Sequence, residues 1–252
     1  TGKFAGSNNQ VKRWLRPSMT SILQQIKKSA AVRFLFRRNQ TKRIISFWQK
    51  GGFDFGYFEK ADDPQWLNVF WEKDSVFRSY FSKLDLTNTL EIACGTGRHS
   101  VMVADQVRQL YLLDSSQAAL DKARERFAGK KDVHYIHNPK GLGIPKNTIA
   151  AQSLTAIFSY DAMVHFEKQA VKLYVVDSFS LLIPGGYALF HHSNYDKNPK
   201  GSFTDNPGWR NYMTPELFNS YATEAGFQVV QSETYSSSCK DSDRITLLMK
   251  PR

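Results

Sequence analysis

Three groups of residues in this chain have types and spacings suited to chemistry. The first is the stretch "EIACGTGRHS", Glu91 to Ser100, where Gly95 and Gly97 sit between a short apolar run and a segment of helical character. Glycines at such a turn let the backbone approach a ligand closely, and a helix that follows aims its free N–H groups at it. The second is Asp114, which ends "QLYLLD" seventeen residues beyond Gly97, about where a carboxylate reaches a ribose diol. The third is a set of polar and ionisable side chains: Tyr160, Asp161 and His165 in "FSYDAMVHF", then His191, His192, Ser193, Asn194 and Tyr195 in "ALFHHSNY". Imidazole titrates closest to neutrality, so these histidines are candidates for moving a proton.

Positioning these groups requires a scaffold, and the hydrophobic pattern describes one. "NTLEIA", "QLYLLD" and "DVHYIH" read as strands separated by the helical segments "HSVMVADQV" and "SSQAALDKARERFAG". "LTAIFSY" continues as a strand, "EKQAVKLYVVDSFSLL" as a helix and "PGGYALFHHS" as a turn and strand. "TPELFNSYATEAG" has a Thr N-cap, Pro at the first helical position and a closing Gly226. "FQVVQSETY" and "DRITLLMK" are joined too closely for a helix and read as an antiparallel pair. Trp66, Phe70, Phe77, Tyr80, Phe81 and Leu84 form the apolar stripe of an amphipathic helix ahead of the first strand. Alternating strands and helices imply an α/β fold with a mostly parallel sheet wrapped on both faces. The glycine turn then lies at the carboxyl edge of the sheet, where open α/β folds bind ligands.

That turn is not a phosphate grip. Ala93 stands where G-x-G-x-x-G has its first glycine, no glycine follows Gly97 at the third position, and no Lys-Ser/Thr pair follows. The net charge of +11 is also uneven: residues 1–50 carry 12 Lys and Arg and no acid, and the remainder is close to neutral. The chain therefore reads as a basic, helical N-terminal arm over 1–50, a glycine- and aromatic-rich segment over 51–64 that would fold over a ligand as a lid, and a globular domain over 65–252. Three roles are open for the arm: a cap on the domain or a second subunit, a peripheral contact with an anionic membrane surface, or a grip on nucleic acid. The cap is favoured and nucleic acid is the least favoured. Two cysteines suit a reducing, cytoplasmic setting, and no apolar run approaches the ~18 residues of a membrane span.

The combination of "LEIACGTGR", the strand-ending Asp114 and "LLIPGGYALF" before a late strand resembles the class I S-adenosylmethionine-dependent methyltransferases, over roughly residues 65–252. The resemblance implies a Rossmann-like, seven-stranded sheet closed by an antiparallel C-terminal hairpin, with S-adenosyl-L-methionine as cofactor. Carried onto this sequence, it places Glu91, Ala93, Cys94, Gly95 and Gly97 around the methionine moiety, Asp114 on the ribose with Ser115 beside it, and Tyr160 in the same site. The family often has an acid after the third strand for the adenine amino group; here "IHNPKGLGIP" offers Asn138 instead.

The resemblance also directs the methyl group toward the ends of the fourth and fifth strands. His165 is the first candidate for general base, followed by His192 and His191, with Asp161 nearby. Adjacent strand residues face opposite ways, so one of the paired histidines is expected at the pocket. Asn194, Trp209, Arg210, Tyr212 and Tyr57 are candidates to hold the acceptor, Arg210 as a cation for a polar or anionic group. No ligand spacing is diagnostic of a metal. "YDAMVHF", "HHSN" and "NPGWR" resemble bacterial methyltransferases of sugars and surface polysaccharides, so the expected acceptor is a hydroxyl of a small molecule or glycan. A nucleic-acid methyltransferase tethered by the arm, and a non-catalytic cofactor-binding protein, are the alternatives.

Overall fold

The computed structural model describes residues 40–54, 56, 60–201, 203–236 and 239–252. The expectations for residues 1–39 and for Tyr57 fall outside these. Seven strands form one sheet: β1 (Asn88–Ile92), β2 (Gln109–Asp114), β3 (Val133–His137), β4 (Leu154–Ser159), β5 (Leu182–Ser193), β6 (Gln228–Tyr235) and β7 (Asp243–Met249). Their order is β3-β2-β1-β4-β5-β7-β6. The first five are parallel, and β7 is inserted antiparallel between β5 and β6. Ile92 pairs with Leu113 and Ser159 with Phe190, so the carboxyl ends of these strands come level and their following turns share one edge.

The helices begin where side chains can satisfy free backbone N–H groups. They are α1 (Gln40–Asp54), α2 (Pro64–Trp71), α3 (Val76–Phe81), α4 (Gln117–Arg126), α5 (Lys168–Leu181) and α6 (Pro215–Ala225). Ser116 accepts from Ala119 N–H at the start of α4, and Thr214 from Leu217 N–H at the start of α6. Gly226 ends α6 at φ 102, a left-handed position that suits glycine. Leu90, Ile92, Ile157, Val171, Val175 and Phe218 belong to one core layer, and Phe77, Phe81, Phe158, Leu189, Ile245 and Leu247 to another.

Two expectations are corrected. The apolar stripe from Trp66 to Leu84 is two short helices, because Glu72–Asp74 leave the helix and Ser75 caps a new start through Arg78 N–H. The segment after the glycine turn is a single 3-10 turn, Ser100–Met102, followed by further turns. Arg108 and Gln109 must return at once to Thr87 O to begin β2, which leaves little chain for an α-helix.

Gly97 has a packing role. It holds φ +79, and a Cβ there would stand 2.6 Å from the ring of Phe127 just beyond α4. Gly97→Ala should therefore destabilise the fold by about 1–3 kcal/mol, read as a lower urea midpoint. Trimming the obstructing ring with Phe127→Leu should recover part of that loss in the double variant.

Buried titratable groups set a pH window. His192 lies flat on Phe218 with ring centroids 3.6 Å apart, and burial pushes its pKa from 6.5 down to about 3. Glu91 is fully buried, and burial pushes its carboxyl from 4.5 up to about 8. From pH 6.5 down to 3 the unfolded chain gains a proton on His192 that the folded chain refuses, so stability falls with falling pH. From pH 4.5 up to 8 the folded chain keeps a proton on Glu91 that the unfolded chain loses, so stability falls with rising pH. Each contributes a slope of about 1.4 kcal/mol per pH unit inside its window. Glu91→Gln should abolish the alkaline loss, as measured by urea unfolding across a pH series.

Candidate active site

The cavity lies at the carboxyl edge of the sheet. Ala93, Cys94, Gly95 and Thr96 after β1, Leu113 to Ser116 at β2, and Tyr160, Asp161 and Ala162 after β4 line it. Its far wall comes from His165, Phe166, Glu167, Ala170 and Tyr174, with Gly141 beyond β3. Ala93, Gly95 and Asp161 all take left-handed φ, at 57, 55 and 54, which folds the chain sharply back at the two turns that meet here.

Asp114 is tied at both oxygens. Oδ1 accepts from Ser116 N–H and Oδ2 from Gly95 N–H, each at 2.8 Å, so the carboxylate joins the glycine turn to the start of α4. A carboxylate has about four acceptor positions, and the backbone N–H groups of Ser116, Gly95 and Ser115 take up part of them. Burial raises its pKa, and the backbone donors oppose that rise. Glu91 lies behind the turn: Ser100 Oγ donates to its Oε2, while the buried Oε1 has no hydrogen-bond partner among the described residues. The thiol of Cys94 is buried and pushed up in pKa.

His165 sits on the 3-10 turn Met163–His165. Its Nδ1 is 2.9 Å from the carbonyl oxygen of Trp209. A carbonyl can only accept, so Nδ1 carries the proton and Nε2 holds the lone pair. Burial lowers the pKa of the ring, which keeps it neutral. The Trp48 ring of α1 lies against it, centroids 5.4 Å apart.

The remaining candidates divide. Asp161 lines the cavity and pairs with Arg98 at 2.5 Å, and Tyr160 lines it while stacked on Phe77. Neither paired histidine lines the cavity. His191 Nδ1 accepts from Asp161 N–H at 3.1 Å, and its Nε2 is 3.3 Å from Asp243; His192 is engaged with Ser193 O and Thr246 Oγ1, both at 2.9 Å. The expectation that one of them reaches the pocket is corrected: Phe218 of α6 covers the His192 ring, and the His191 ring is packed among Tyr160, Tyr235 and Asp243. Asn138 also stands off the cavity, donating to Gly143 O and to the Tyr174 hydroxyl. Arg210 is buried against Asp243 and does not line the cavity; nor do Asn194, which donates to Asp241 O, or Tyr212, which bridges to Tyr195. Trp209 contributes its carbonyl to His165, and its ring meets Phe47 edge-on.

Two contributors escaped the sequence reading. Arg98, inside the glycine motif, lines the cavity and donates to Ala61 O as well as pairing with Asp161. Helix α1 supplies Thr41, Ile44, Ile45 and Trp48 to the wall, and Gln49 donates to Ser115 O at 2.7 Å. A Cβ on Gly141 would meet Ile45 at 2.7 Å, so α1 seats directly on that glycine.

Comparison with known proteins finds likenesses to the part of the chain that carries this arrangement. Residues 89–186 match the family model described as a methyltransferase domain. The methyltransferase match begins in β1 and ends in β5, and so contains the glycine turn, Asp114 and His165. A Leishmania major S-adenosylmethionine-dependent methyltransferase is 14% identical with a TM-score of 0.61, covering 84% of this chain and 83% of its own. A Haloferax volcanii methyltransferase, solved in complex with a methyltransferase activator, is 11% identical with a TM-score of 0.58, covering 83% and 98%. The cyclase SpnF shares the fold too, at 13% identity and a TM-score of 0.55 over 70% of this chain and 80% of its own. No curated protein matches the sequence. The domain and its neighbours indicate S-adenosylmethionine as the cofactor. The residues fit it: Asp114 keeps acceptor capacity for a diol, and Glu91 Oε1 is a buried polar atom behind the glycine turn with no hydrogen-bond partner among the described residues. Among the described residues no group of three His, Cys, Asp or Glu side chains is placed to hold a metal ion, and no helix is long and apolar enough to cross a membrane.

Proposed function

We propose that this chain is an S-adenosylmethionine-dependent methyltransferase acting on a hydroxyl of a small molecule or glycan, with His165 as general base. The observation that carries the reading is the state of His165. Its Nδ1 proton is committed to the Trp209 carbonyl, which leaves Nε2 as a lone pair on a residue of the same cavity as Asp114 and Gly95. The cofactor, when bound, supplies an electrophilic methyl group. Asp114 would hold the ribose, Gly95 would allow close backbone approach, and His165 Nε2 would take the proton that an acceptor hydroxyl sheds as its oxygen is methylated. The decisive test incubates the protein with methyl-labelled cofactor and fractionated acceptors, then locates the label by mass spectrometry and NMR. A methyl ether supports the reading; label on nitrogen, or in nucleic acid, overturns it.

In the same reading α1, placed at sequence level within the arm, is the element that closes over the cofactor. Trp48→Ala should weaken binding of S-adenosylhomocysteine about 3- to 30-fold in calorimetry, through lost aromatic and apolar contact worth about 1–2 kcal/mol. Unchanged affinity would remove α1 from the binding site.

A further inference from the structure

The loop between β5 and α6 has two successive residues in the left-handed region, Gly208 at φ 54 and Trp209 at φ 55. Glycine adopts this freely, whereas a bulky residue does so only where its surroundings impose it. Here the surroundings are explicit. Arg210 Nε and Nη2 donate to the two oxygens of Asp243, each at 2.6 Å, and Arg210 Nη1 donates to Gly208 O at 2.6 Å. Asn206 Nδ2 donates to Arg210 O at 2.8 Å. On the other side, Asn211 donates from its backbone N–H to Val164 O and from Nδ2 to His165 O, both at 3.0 Å. The loop is thus fastened to the start of β7 and to the turn that carries His165, and Trp209 O lies between the two fastenings.

We propose that the Arg210–Asp243 pair is a positioning device that acts through the Trp209 carbonyl, holding His165 in the Nδ1–H tautomer with Nε2 bare. Arg210, with Nε, Nη1 and Nη2 all donating to protein oxygens, is a positioning residue and does not receive the acceptor. If the pair is loosened, the carbonyl shifts, the ring samples the Nε2–H form, and that form has no lone pair at Nε2. The charged groups around the ring are Asp161 and Asp243, which favour its protonation, and Arg210, which opposes it; the α1 side presents the Trp48 ring. The consequence for turnover rests on the proposed role of His165 as base, whereas the tautomer stands apart from it.

The test records two-bond nitrogen–proton spectra of the histidine rings in the full chain, with His165 assigned by its disappearance in His165→Gln. The wild type should show an Nδ1–H ring. Arg210→Lys keeps the charge but loses the two-pronged contact and the bond to Gly208; it should show a mixed tautomer, with kcat lower on the order of 10- to 100-fold and S-adenosylhomocysteine affinity unchanged. Asp243→Asn should do the same, and because it weakens a buried ion pair it serves as the second variant. A wild-type ring protonated at Nε2, or a folded Arg210→Lys protein with the wild-type tautomer, overturns the proposal. Full turnover in His165→Gln together with tautomer mixing in Arg210→Lys would remove His165 as base and leave the positioning intact.

Discussion

Replacing His165 by Gln should lower kcat by about 100- to 10,000-fold, the range associated with loss of a positioned general base, and leave S-adenosylhomocysteine binding little changed. Glutamine is the informative substitution because its amide can still donate to the Trp209 carbonyl, which preserves the loop while removing the imidazole lone pair. The pH profile gives a second readout. Burial holds the His165 pKa below its usual 6.5, so the neutral, proton-accepting ring persists through neutrality and is lost only as pH falls through that lowered value. The wild-type rate should therefore fall on an acidic limb below pH 6.5, and that limb should be missing from the residual rate of the variant. A variant with near wild-type kcat would end the case for this histidine as base.

Asp114→Ala should be the most damaging substitution for cofactor affinity. Each hydrogen bond from a ribose hydroxyl to a carboxylate is worth about 1.5–3 kcal/mol, so losing the pair weakens binding on the order of 100-fold or more. The side chain also accepts from Gly95 and Ser116 N–H, and its loss leaves both donors of the turn without that acceptor. The two effects separate in a double-mutant cycle with a deoxyribose form of the product. If Asp114 reads the diol, that ligand should bind the wild type weakly and lose less than the natural product does on substitution. Equal losses for both ligands would show that Asp114 only shapes the turn.

The alternation of strands and helices was legible because each element carries its own period, and the caps of α6 are local in sequence: Thr214, Pro215 and Gly226 act on neighbours within a few residues. The glycine turn and Asp114 were legible for a similar reason, since level strand ends bring them together whatever the rest of the chain does. The fate of Arg210 was hidden. A cation in a loop looks the same whether it meets solvent or, as here, a buried carboxylate 33 positions later. His191 and His192 failed as pocket residues because alternation along β5 identifies two faces but not what covers them; Tyr160 and Tyr235 pack on His191, and Phe218 of α6 on His192. Helix α1 was misread at its boundary because it runs from Gln40 to Asp54, across the change in composition near residue 50. Its contribution to the wall comes from four residues at helical spacing in an otherwise polar, basic segment, a weak stripe that only the cavity explains.

The insertion of β7 between β5 and β6 sets the order in which the sheet's pairings can form along the chain. The four strands β1 to β4 can pair with one another as soon as they leave the ribosome, and they carry the glycine turn and Asp114. β6 has no partner until β7, the seventh in chain order, arrives to separate it from β5, and only then does Asp243 meet Arg210. A nascent chain halted before β7 would have its cofactor turn in place while the carbonyl facing His165 was still unanchored. On the proposed role of His165, competence to bind would precede competence to react, a vectorial order written into the strand sequence.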